Sequence, residues 1–100
     1  MRSLAIALFE NGKIKTTLVK AKALRPFAEQ LITKAKKPDL ASRRTLVAKL
    51  NKKTASLLME KWAAVFEKRN GGYIRIIKLN FRRADASALA QIELVEKPKN

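Results

Sequence analysis

Gly71 and Gly72 stand side by side between arginines, and the seventeen residues from Arg69 to Asp85 hold more chemistry than any other stretch. Paired glycines permit positive φ and leave the N–H groups of a turn open to an anion. Arg69, Arg75, Arg82 and Arg83 add planar forks that match phosphate oxygens. Tyr73 brings a ring face and a hydroxyl, and Phe81 a second ring in a loop. Another group, Lys13, Lys15, Lys20 and Lys22, alternates along a turn, a strand and a helix start, with Arg2, Thr16 and Arg25 around it. Some of these lysines must diverge in direction. Arg43, Arg44 and Lys78 complete the candidate contacts to a polyanion. What these residue types share is the capture of phosphate.

Bond-breaking chemistry has no comparable support. Histidine and cysteine are absent, which removes the commonest general base, the thiolate nucleophile and the usual zinc ligands. The eight acids are scattered as counter-charges, and Ser3, Ser42, Ser56 and Ser87 have no histidine to activate them. The glycine pair lacks the spacing of a dinucleotide fingerprint and precedes a strand instead of a helix. No enzyme, cofactor, metal or small-molecule substrate is expected.

Charge points the same way. The 100 residues hold 23 Lys and Arg against 8 Asp and Glu, a formal charge of +15. The excess is not a tail: the first fifty residues carry 12 basic and 3 acidic groups, the last fifty 11 and 5. Such a field repels itself unless a polyanion neutralises it. Nucleic acid is the default partner, with an anionic membrane surface second. No apolar run reaches the roughly 20 residues of a spanning helix. Met1–Phe9 resembles a secretion signal only superficially, because Glu10 interrupts it, so a cytoplasmic protein is expected.

The elements that must position these groups follow from periodicity and punctuation. Leu4, Ala5, Leu8 and Phe9 predict a helix over 3–10, stopped by Asn11-Gly12. Residues 13–17 read as a short edge strand, and Thr16 or Thr17 as the cap of a helix over 18–37. Pro26 predicts a kink in it, or an effective start near residue 25. Further helices are expected over 40–50 and 52–68, capped by Asp39 and Asn51, with Trp62 on the core stripe of the second. Strands over 73–79 and 90–96 pair antiparallel across a basic loop. The order α-β-α-α-α-β-β implies an α+β domain over 1–96, a two-layer α/β arrangement with a small mixed sheet, and a frayed tail at 97–100. No recognition helix, zinc knuckle or paired RNP aromatics appear, so backbone and shape readout of a folded RNA fits better than base readout.

These residues resemble a known family. Asn11-Gly12-Lys13-Ile14-Lys15-Thr16-Thr17, Lys20-Ala21-Lys22-Ala23-Leu24-Arg25-Pro26, Ala28-Glu29, Leu31-Ile32-Thr33, Arg69-Asn70-Gly71-Gly72-Tyr73, Arg75-Ile76, Lys78-Leu79, Arg82-Arg83, Asp85-Ala86 and Ile92-Glu93-Leu94 are similar, in order, to the bacterial-type large-subunit ribosomal protein of family seventeen. The likeness runs from Met1 to about Val95. It implies the same α-β-α-α-α-β-β fold and a structural role on the ribosome. The implied partners are large-subunit rRNA near the peptide exit and neighbouring ribosomal proteins. Family members carry a basic, histidine-containing arm before the residues that match Met1-Arg2-Ser3-Leu4. This sequence starts at those residues, through loss of the arm or a late start. A DNA-binding architectural protein is the alternative reading, and an RNA-processing enzyme a more distant one.

Overall fold

Three helices of this chain begin where a short polar side chain takes up an N–H that the helix leaves unpaired. In the computed structural model, which describes residues 1–37, 39–79 and 88–96, three caps do so. The Thr17 hydroxyl accepts from the Lys20 N–H at 3.3 Å, Asp39 Oδ1 from Ser42 at 2.7 Å and Asn51 Oδ1 from Thr54 at 2.7 Å. They open α2 (Leu18–Ala35), α3 (Leu40–Lys49) and α4, which starts as Lys52–Leu57. Helix α1 (Arg2–Asn11) ends at Gly12, whose φ of 82° is left-handed and whose N–H reaches Leu8. The chain then turns into β1 (Lys13–Thr17).

Helix α2 runs from Leu18 through Pro26 to Ala35, close to the expected span, with the proline on its exposed side; of the two alternatives for Pro26, a start near residue 25 is not the one seen. Helix α4 widens into a π segment over Leu58–Trp62 and closes as Ala63–Val65, not near residue 68. Phe66 leaves helical geometry at φ −101° and ψ 16°, and a tight turn follows. Trp62 is buried as expected, its indole N–H donating to the Phe9 carbonyl at 2.9 Å.

Strands β2 (Ile74–Lys78) and β3 (Leu89–Leu94) complete the fold. The sheet order is β1-β3-β2, and both pairings are antiparallel. This corrects the expected mixed sheet. Strands β1 and β2 do run the same way, but β3 lies between them, so no hydrogen-bonded pair is parallel. The helices cover one face of the sheet, giving the two-layer α+β fold. Ala90, Ile92 and Leu94 of β3 join Leu8, Phe9, Leu24, Leu31, Ile32, Leu58 and Phe66 in one core.

Candidate nucleic-acid interface

Alternation along the strands sorts their side chains onto two faces. Ile14, Ile76, Ala90, Ile92 and Leu94 face the helices. The opposite face is built from three cross-strand rows. Lys13 stands beside Glu93 and Arg75, Lys15 beside Gln91 and Ile77, and Thr17 beside Leu89. Lys13 and Lys15 are exposed, with no carboxylate within 4 Å among the described residues. Glu93, central in its row, accepts from Arg75 Nε at 2.9 Å, Arg75 Nη2 at 2.6 Å and Gln91 Nε2 at 2.7 Å. The Arg75 guanidinium first, and then the Gln91 amide, holds the Glu93 carboxyl below its ordinary pKa. The face therefore keeps a positive balance around a satisfied carboxylate. Thr16, expected with Lys13 and Lys15, has the opposite parity, as does Lys78: both sit in the row of Ala90, on the helix side.

The glycine turn presents a different surface. Gly71 and Gly72 have φ of 143° and 63°, values that side-chain-bearing residues rarely adopt. Arg69 is spent inside the turn: its Nη1 donates to the Gly72 carbonyl at 3.3 Å and its Nε meets Glu96 at 3.3 Å. Lys36 Nζ donates to the Arg69 carbonyl and, at 3.2 Å, to the Tyr73 hydroxyl. Tyr73 is only 3% exposed and its ring packs on Phe66 at 5.1 Å. Of the stacking and packing roles open to this ring, the structure shows packing, because the aromatic run Trp62–Phe66–Tyr73 closes this end of the core. Beside the turn, Gly71, Gln30, Thr33, Lys34 and Lys37 line an open concavity of about 580 Å³.

Other cations spread over the helices. Lys20 and Lys22 are both exposed, and two residues along a helix turn the chain by about 200°, so they leave α2 on opposite flanks. Arg25 lies 3.9 Å from Glu29, whose other contact is the Ile74 N–H at 3.3 Å. Arg43 and Arg44 project from α3, Arg43 reaching the Ser56 hydroxyl at 3.5 Å, and Arg2 is exposed on α1. Arg82, Arg83 and Phe81 lie outside the described residues. Only three ion pairs form among the described residues, those of Arg25, Arg69 and Arg75.

Comparison with known proteins gives this cationic fold a family. The profile described as "Ribosomal protein L17" matches residues 1–95. The chain belongs to the ribosomal protein L17 family. It is 54% identical over 99 residues to the Large ribosomal subunit protein bL17 of Persephonella marina, covering 96% of this chain and 80% of that one. The protein of the same name from Campylobacter concisus is 49% identical over 96 residues, 95% of this chain and 81% of its own. That of Bifidobacterium adolescentis is 48% identical over 99 residues, 98% and 64% respectively.

In this L17-family chain the matching motifs divide between architecture and open surface. Gly12, Thr17, Glu29, Arg69 and Tyr73 stop, cap or staple elements. Lys13, Lys15, Lys20, Lys22 and Arg44 are exposed, with no carboxylate within 4 Å among the described residues. Lys34 in the last turn of α2 and Lys37 just beyond its end are exposed beside the glycine turn, and neither was among the sequence candidates. Among the described residues no three His, Cys, Asp or Glu side chains gather as metal ligands, and no helix is long and apolar enough to cross a membrane.

Proposed function

We infer that this chain is a structural constituent of the large ribosomal subunit, bound to large-subunit rRNA through phosphate neutralisation and shape recognition. It sits on the peptide-exit side beside neighbouring ribosomal proteins in the cytoplasm. The name its relatives carry, Large ribosomal subunit protein bL17, supports the assignment to that subunit. The physical observation that carries the reading is the uncompensated charge. The sheet face, the outer side of α2 and α3 all present cations that no carboxylate of the described chain approaches within 4 Å. Among the described residues neither a cleft with paired acids nor a nucleophile with a base accompanies them, which supports a binding role.

Lys13, Lys15, Lys20, Lys22, Arg43, Arg44, Arg2 and Lys78 act as phosphate contacts in this account, as do Arg82 and Arg83. Arg75 serves both Glu93 and the RNA. Gly71 and Gly72 allow an approach of RNA backbone, since a Cβ at either position would meet no atom within 4 Å. A tagged chain expressed in a bacterium tests the reading on sucrose gradients. The chain should travel with the large subunit at low salt, leave it at high salt, and resist displacement by duplex DNA. Recovery at the top of the gradient at low salt would refute the assignment.

A further inference from the structure

We propose that the open face of the sheet seats unpaired nucleotides, with their phosphates on Lys13 and Lys15 and their base faces against Arg75, Ile77 and Leu89. This rests on the RNA-binding reading above and adds which kind of RNA the face takes.

The face is not uniformly charged. Ile77 is 41% exposed on the edge strand β2 and Leu89 is half-buried on the central strand, while the apolar residues of opposite parity on the same strands pack against the helices. Exposed apolar side chains gain nothing from a phosphate. Paired RNA offers mainly phosphates and 2′-hydroxyls, because its base faces are stacked inside the helix. An unpaired nucleotide offers a charged backbone together with a flat π face, and such faces settle on apolar, aromatic or guanidinium surfaces. The row Lys15–Gln91–Ile77 crosses three strands, about 10 Å at ordinary strand spacing, with cation, amide and hydrocarbon in sequence.

Glu93 would repel a phosphate if its charge were open. Its oxygens instead accept from Arg75 and Gln91, which also fixes both donors on the face. Arg75 remains 58% exposed in its side chain, leaving guanidinium surface for a base. Gln91 spends an amide N–H on Glu93, and its carbonyl oxygen has no partner among the described residues, so a base edge can use it. A protein neighbour on the sheet would have to place carboxylates opposite Lys13, Lys15 and Arg75.

The test uses the full chain with two probes: a mixed-sequence single-stranded RNA, and the blunt duplex formed by that strand. Ile77→Ser combined with Leu89→Ser keeps the net charge and the Arg75–Glu93 pair and removes the apolar platform. Fluorescence anisotropy should show single-strand affinity falling about tenfold, with duplex affinity and the salt slope of both unchanged. Equal losses on both probes, or none on the single strand, overturn the proposal. Should the double variant melt early in circular dichroism, a thiouridine-substituted single strand crosslinked to the unaltered chain decides the matter. Crosslinks on residues 74–78 and 89–93 are expected, and crosslinks confined to the helices overturn it. Intact RNA affinity in the variant with lost incorporation into reconstituted large subunits would assign the face to a protein and overturn it too. An unaltered chain that binds neither probe removes the RNA-binding reading itself.

Discussion

The Tyr73 ring lies against Phe66 and its hydroxyl accepts from Lys36, which also holds the Arg69 carbonyl. A residue whose type suggested base contact is therefore part of the clasp between α2 and the glycine turn. Tyr73→Phe should cost about 1 kcal/mol in urea unfolding, the loss of one hydrogen bond, and leave RNA affinity unchanged. A clear drop in affinity from a folded variant would restore the contact role. Glu93 gives a pH dependence whose sign is fixed by its partners. Arg75, then Gln91, lowers its folded pKa from 4.5, so the pair contributes stability above about that pH. The contribution disappears as pH falls through the lower folded value and Glu93 takes a proton. Acid titration of unfolding should show stability declining below about pH 4.5, and Glu93→Gln should flatten that decline. An identical acid limb in the variant would contradict the assignment.

Helix caps carry the same logic at the level of elements. Asn51→Ala removes the acceptor for the Thr54 N–H and should cost about 1 kcal/mol, or roughly 4–8 °C in Tm for a chain of this size. No change in Tm would mean that α4 is held by packing alone. Caps and stops were legible in the sequence because they are local: Gly12, Thr17, Asp39 and Asn51 each act within a few residues. The core stripes of α1, α2 and α4 were legible for the same reason. Three features were not. The place of β3 between β1 and β2 depends on contacts distant in sequence, so residue order alone suggested a mixed sheet. The π segment of α4 coincides with the Trp62 hydrogen bond to the Phe9 carbonyl and its stacking on Phe66, which no local pattern encodes. The role of Tyr73 stayed open because its neighbours Gly72 and Arg75 signal a ligand, while the ring that buries it comes from Phe66. The sidedness of Thr16 and Lys78 was readable from strand parity and was overlooked.

At the scale of the whole molecule, a charge of +15 on 100 residues sets the behaviour. Ion pairs among the described residues consume three cations, and two of those, Arg69 and Arg75, tie the turn and sheet together. What remains is a surface whose mutual repulsion eases only when counterions or a polyanion gather on it. Binding should therefore be driven largely by release of counterions from RNA. The most direct measurement is a filter-binding titration of the full chain on large-subunit rRNA across salt. The logarithm of the affinity should fall linearly with the logarithm of salt concentration, by about 10³–10⁵ between roughly 50 and 200 mM if six to ten phosphates are engaged. Lys13→Gln with Lys15→Gln should make the slope shallower by roughly 0.7–0.9 for each lost contact. An affinity indifferent to salt, or a slope unmoved by removing both lysines, would contradict the account.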